Sequence, residues 1–305
     1  MAAHKSRIRL IGEPIPKQLD FTAKFVNNTG FTLVKPKVVG ALDPNESMES
    51  KMIAALNEAA SKMEVGNQIS VYQATQIIKY RCPTWIPIFD RSEAEIIRLG
   101  TVLDDEFKRI GVHFVPYKNN LYKALELTPL NKTRVVIIGQ DPYPQMLGPN
   151  PRAQGLSFSV SYDDVIPGSL KNIYKEINNE IPGFQQPNHG NLEHWAQQGV
   201  LLLNSCLTCL SGQAGSHSKY PLWTPFIRHV IKGISEIRPN CIYVMWGREA
   251  EKIEPLLGEH NIRLVAAHPS GLSANRGFFG CGHFVEINRL LTSFGEAPID
   301  WSKAP

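Results

Sequence analysis

A chain of 305 residues with 43% hydrophobic content can bury one substantial core without disulfides or a structural metal. Its formal charge of +4 permits a nucleic-acid partner, but the chain lacks the polybasic stripe of proteins that neutralise many phosphates at once. No run approaches the roughly 18 apolar residues of a membrane span, and residues 1–10 carry no signal-like apolar segment, so membrane insertion and secretion are not expected. The cysteines, Cys82, Cys206, Cys209, Cys241 and Cys281, are odd in number and unevenly spaced, which suits a reducing, intracellular compartment better than a disulfide framework.

In chain order, residues 1–84 stand apart as an extension. A polar opening interrupted by Pro14, Pro16, Pro36 and Pro44 gives way to an alanine-rich helical pattern at 48–63 and a second apolar, helical segment at 71–80. Cys82-Pro83-Thr84 breaks that segment and predicts a boundary near Trp85, with a single domain over 85–305. Beyond it, the short, almost continuously apolar runs 135–138, 200–203, 242–245 and 264–266 have the length and character of buried parallel strands. Amphipathic helical patterns at 170–181, 225–237, 249–257 and 285–294 alternate with them or come after them. The order predicts an α/β fold: a central four-stranded parallel sheet flanked by helices on both faces.

Each of these strands runs into polar residues of distinct chemistry. The first run leads into Gln140-Asp141, the second into Asn204, the third into Trp246-Gly247 and the fourth into His268-Pro269-Ser270. In open α/β sheets, loops beyond the carboxyl ends of the strands converge on one crevice, so an acid, an amide, a glycine turn and an imidazole are expected to meet there. Singly, Asp141 reads as a cap or turn residue, Asn204 as a tether for backbone amides and His268 as a satisfied loop histidine. Together they make a site. Phe158, within Gly155-Leu156-Ser157-Phe158-Ser159-Val160, reads either as core or as a face for stacking a flat ligand. Cys206 and Cys209 form a C-x-x-C pair that Cys281 and His283 could complete for zinc, but the pairs are far apart and free buried thiols are preferred; no metal or cofactor is expected.

Six ordered segments carry a resemblance over most of 85–305: GQDPYP (139–144), AQGLSFSV (153–160), IPGSLKNIYKEI (166–177), GNLEHWAQQGVLLLN (190–204), HPSGLSANRGFFGCGHF (268–284) and PIDW (298–301). The sequence resembles the family-1 uracil-DNA glycosylases, base-excision-repair hydrolases that flip deoxyuridine out of DNA and cleave its N-glycosidic bond without metal. The resemblance implies catalytic roles for Asp141, which positions water and stabilises the cationic sugar, and for His268, which donates to the uracil oxygen as charge builds on the leaving base. It implies that Gln140 lines the pocket, Tyr143 excludes the thymine methyl, Phe158 stacks on the base and Asn204 reads its edge. Ser169, Ser270 and Ser273 would hold phosphates, Leu272 would wedge into the base stack, and Gly247, Arg248 and Arg276 would lie along the DNA.

Three positions depart from the family pattern. Pro144 stands where a histidine commonly follows the tyrosine, Gly271 where a proline is usual and Arg248 where a serine is frequent. The stretch from Pro144 to Arg152 is also longer than the pattern leads one to expect. Together these changes imply retained chemistry with an altered grip on DNA. The extension and the departures suit a divergent lineage, with a large DNA virus as a candidate source, and a monomer whose residues 1–84 offer a contact for a replication or repair protein. Two other functions fit the fold: a non-catalytic DNA-binding or polymerase-accessory protein, and a glycosylase for another damaged base.

Overall fold

The computed structural model describes residues 7–9 and 70–302. The helical pattern expected at 48–63 lies outside them. The central sheet contains β1 (Arg7–Arg9), β2 (Val135–Gly139), β3 (Val200–Asn204), β4 (Ile242–Trp246) and β5 (Ile262–Ala266), in the spatial order β1-β5-β4-β2-β3. The last four are mutually parallel. The predicted four-stranded parallel sheet is therefore present, and β1 adds an antiparallel edge strand, pairing Ile8 with Leu264.

The near-continuous apolar runs have a simple physical origin, because both faces of the sheet are covered. Val136, Ile138, Leu201, Leu203, Tyr243 and Met245 face one core. Their neighbours Val135, Ile137, Val200, Leu202, Ile242 and Val244 face the other, as the two-residue period of a strand requires. The first core is closed by α1 (Val71–Arg81), α2 (Glu93–Ile110) and α4 (Thr224–Ile237), the second by α3 (Gly168–Glu180) and α5 (His283–Ser293).

Helix α1 lies on the amino-terminal side of the boundary expected near Trp85. Ser70 caps it through a reciprocal pair, Gln73 N–H to Ser70 Oγ at 3.1 Å and Ser70 N–H to Gln73 Oε1 at 2.7 Å, and loss of such a cap costs about 1 kcal/mol. Its buried Val71, Ala74, Ile77 and Ile78 join the same core as Leu99 and Leu103 of α2. Pro83 does break the helix, but it opens a short 3-10 turn inside this packed unit. The unit thus reaches back at least to Ser70. A second difference is local: the pattern at 249–257 forms a one-turn helix, Arg248–Glu251, and a 3-10 turn, Glu254–Leu256, interrupted where Pro255 cannot supply a helical amide.

Of the parallel strands the chain lays down β2 first, adds β3 on one side of it, and then crosses to β4 on the other. That reversal makes the carboxyl end of β2 a topological switch point, where such sheets open a crevice. Asp141 sits two residues beyond the end of β2.

Candidate active site

Asp141 is half-buried, and its Oδ2 accepts the Gly215 N–H at 2.6 Å. Burial pushes its carboxyl pKa up from the ordinary value, and the Gly215 donor works against that shift by stabilising the anion. On the neighbouring strand, Asn204 is buried to 8% exposure and lies across Gly139: a Cβ on Gly139 would fall 2.2 Å from Asn204 Oδ1 and 2.7 Å from Ser157 Cβ. Among the described residues no protein group hydrogen-bonds the Asn204 amide. A buried amide without a protein partner costs free energy unless a ligand or water engages it.

His268 sits two residues beyond the end of β5, at the same end of the parallel strands as Asp141. Its Nδ1 accepts the Ser270 N–H at 3.1 Å. An amide can only donate, so in the neutral ring the proton sits on Nε2, which is left to donate outward. Burial pushes the imidazole pKa down and favours that neutral form. Gly247 makes this approach possible: with φ at +85°, a Cβ there would lie 2.9 Å from His268 Cβ.

Phe158 has φ at +63°, the single positive value on a non-glycine residue among those described. Such a backbone costs about 1–2 kcal/mol and survives where packing overrides it. Here the ring is wedged edge-on to Trp246, with centroids 5.8 Å apart, and 5.8 Å from the His268 ring. Phe158 belongs to the core cluster, and its ring also lies beside that of His268. Tyr143 is half-buried on the adjoining turn, with the Arg152 guanidinium 5.5 Å over its ring and Arg152 in turn paired with Asp164.

Gln140 is exposed at the strand end, and its carbonyl accepts from Cys206 N–H and Ser205 Oγ, tying the two strand ends together. Ser270 and Ser273 share a hydrogen bond at 2.9 Å, and Ser273 Oγ donates to the His268 carbonyl at 2.8 Å. Between them Leu272 projects with 86% exposure. Arg248 and Arg276 are exposed, and Ser169 is half-buried in the first turn of α3. None of these three has a hydrogen bond to the groups around Asp141. The 144–152 stretch forms a hairpin in which Met146–Leu147 pairs with Asn150–Pro151, leaving Met146 and Leu147 exposed.

The sequence carries no signal for Gly215, which acts through its backbone amide, and it names Trp246 at a strand end without its edge-on contact to Phe158. The zinc reading does not assemble. All five cysteines are buried and none is in a disulfide, and His283 Nδ1 accepts the Trp246 indole N–H. Among the described residues, the one group of three candidate ligands is Glu176, Glu180 and Cys281. Its carboxylates are engaged by backbone amides, Glu176 by Gly280 and Glu180 by Phe284 and Val285 at the start of α5, as helix-capping acids are.

The sequence pattern of the uracil DNA glycosylase superfamily matches residues 125–292, which include Asp141, Phe158, Asn204 and His268. The protein belongs to the uracil-DNA glycosylase superfamily. The uracil-DNA glycosylase of Escherichia coli K12 is 44% identical over 221 residues, covering 72% of this chain and 94% of its own. That of Shigella flexneri serotype 5b matches to the same extent. Among solved structures, mimivirus uracil-DNA glycosylase superposes with a TM-score of 0.68 at 28% identity, over 73% of this chain and 88% of its own. Strands β2 to β5 and the residues at their carboxyl ends lie inside the matched residues 125–292.

Proposed function

We propose that this glycosylase hydrolyses the N-glycosidic bond of uracil in DNA, leaving an abasic site, with Asp141 and His268 dividing the charge of the transition state. The observation that carries this reading is the buried, unpartnered Asn204 amide flanked by a carboxylate and a neutral imidazole. Its Oδ1 can accept from uracil N3–H while Nδ2 donates to O4. Cytosine offers the opposite pattern at both atoms and would leave buried groups unpaired, a mismatch worth on the order of 10⁴-fold in discrimination. Phe158 supplies a face for the flipped ring, and Tyr143 fills the space a thymine methyl would need.

Bond cleavage spreads positive charge over the sugar and negative charge over the base. Asp141 stabilises the first and orients water, and Nε2 of His268 donates to the second. No step needs a metal or cofactor. Ser169, Ser270 and Ser273 hold phosphates on either side, Arg248 and Arg276 add charge at the rim, Gly247 lets the loops close together, and Leu272 enters the stack where the base leaves. We place the enzyme where its DNA substrate is, inside the cell. A non-catalytic accessory role gives no reason for an unpartnered amide beside Asp141.

The direct test is incubation with a uracil-containing oligonucleotide in EDTA, followed by alkaline cleavage. Strand breaks at the uracil position are expected, whereas intact strands, or breaks that EDTA abolishes, overturn the metal-free mechanism. Gly139→Ala should force the Asn204 amide aside. It is expected to raise KM for uracil DNA about tenfold, with a stability cost of about 1–3 kcal/mol by denaturant unfolding. Gly271 has open space around it, and its proposed effect is a loosened wedge loop. Gly271→Pro is then expected to tighten DNA binding about two- to fivefold, the range given by restricting one flexible residue, as read by fluorescence anisotropy.

A further inference from the structure

The segment 211–220 carries the Gly215 amide that donates to Asp141, yet it has little regular structure of its own. It is held instead by side chains. His217, only 3% exposed, points inward with Nδ1 2.7 Å from Thr208 Oγ1 and Nε2 2.9 Å from Glu106 Oε2 of α2. Thr208 Oγ1 also accepts the Trp223 indole N–H at 2.7 Å.

Donor bookkeeping fixes the direction of this chain. An indole nitrogen can only donate, so the threonine hydroxyl proton is free for His217 Nδ1, and the proton of the neutral ring sits on Nε2, donating to the Glu106 carboxylate. Burial pushes the His217 pKa down while Glu106 pulls it back, consistent with a neutral ring in a polarised, one-way network. The anchor is two residues from Gly215. Ser216 Oγ accepts Leu210 N–H at 2.7 Å, and Ser218 Oγ donates to the Gly215 carbonyl at 3.2 Å, so the turn between anchor and donor is itself tied down.

We propose that His217 and Glu106 are positioning residues for glycosidic-bond cleavage: the buried chain Trp223–Thr208–His217–Glu106 fixes the 211–220 segment so that the Gly215 amide stays on the Asp141 carboxylate. The inference rests on Asp141 being the reacting carboxylate. The effect is both geometric and electrostatic. Without the Gly215 donor, Asp141 loses its orientation toward the sugar, and it also loses the interaction that opposes desolvation of its anion. Its pKa then rises further. The other titratable groups around Asp141 cannot replace that donor's effect: the Cys206 and Cys209 thiols are both pushed up to about 12 and stay neutral, and His268 is committed at another strand end.

The test compares full-length wild type, His217→Leu, Glu106→Ala, Glu106→Gln and Asp141→Asn on a uracil-containing single-stranded oligonucleotide, with kcat and KM measured from pH 4.5 to 8 and Tm recorded for each. His217→Leu is expected to lower kcat about 10- to 100-fold with KM within about twofold, since misplacement near 1 Å can cost 10²-fold. Its acid limb should move upward by about half a pH unit or more. Glu106→Ala should shift kcat and the acid limb the same way but less. Glu106→Gln, which keeps an acceptor for Nε2–H, should recover most of the rate. A lowered Tm with kcat and acid limb unchanged in the folded protein would show the chain to be a structural tether only. If His217→Leu does not fold, Glu106→Ala decides on the same readouts, because Glu106 is partly exposed. Full activity in Asp141→Asn would instead remove the reading of Asp141, which is a separate failure from this one.

Discussion

Asp141→Asn is expected to lower kcat on uracil DNA by about 10²- to 10³-fold, the scale of one electrostatic contact made at the transition state, while leaving KM nearly unchanged. The substitution preserves shape and an acceptor for the Gly215 amide and removes only the charge. The stability effect should go the opposite way. Because burial raises the Asp141 pKa in the folded chain, its ionised form is held at a cost, and that cost grows as pH rises through the folded pKa. A neutral amide escapes it. At pH 7 the variant should therefore melt at or above the wild-type temperature, so that lost activity cannot be blamed on unfolding. A variant with wild-type kcat would mean that Asp141 is not the group facing the sugar.

That trade, stability for a charge placed where it is needed, recurs around the crevice. Phe158 holds a strained backbone angle, Asn204 keeps an amide without a protein partner, and Gly139 and Gly247 give up side chains so that Asn204 and His268 can approach. Each is unfavourable locally. The two cores flanking the sheet supply the rigidity that makes them tolerable, and the topology places them all at one end of four parallel strands.

The parts of the fold that could be read in the sequence are those where a single physical constraint acts along a short stretch. Burial on both faces makes residues 135–138 and 242–245 nearly uniform in apolar character, so these strands are legible, although each structural strand runs one residue further, to Gly139 or Trp246, where the candidate site begins. Helix α2 went unread because its buried stripe of Ile96, Leu99, Gly100 and Leu103 includes a glycine, while Ile97, Val102 and Phe107 are exposed and blur the period. Strand β1 offers only Arg7-Ile8-Arg9, too short for any pattern, and its place depends on a partner edge more than 250 residues away. For the site, side chains at strand ends could be named from their positions, and the resemblance gave them roles. The Gly215 contact could not be named, because a backbone amide has no sequence signature and lies 74 residues from the carboxylate it serves.

His268→Leu is expected to lower kcat by a similar factor, about 10²- to 10³-fold, and its pH profile separates two mechanisms that a single rate cannot. If the imidazole acts as a neutral donor, catalysis requires Asp141 ionised and His268 unprotonated on Nδ1. The first condition fails as pH drops through a carboxyl pKa raised by burial, and the second as pH drops through an imidazole pKa lowered by burial. Both losses fall on the acid side. Wild-type kcat/KM should therefore climb from low pH with a limiting log slope near two, then stay flat through pH 8, with no alkaline decline from His268. His268→Leu should reduce the acid slope to one, and His268→Gln, which restores a neutral N–H donor, should recover part of kcat without restoring the second slope. An imidazolium acting as a general acid predicts the reverse, a rate that falls above the His268 pKa and regains a flat alkaline side only when the histidine is removed. The Ser270 amide on Nδ1 favours the neutral form because a protonated Nδ1 would point its own hydrogen at that donor. An alkaline limb that disappears in His268→Leu would overturn this assignment even if both variants lost activity as expected.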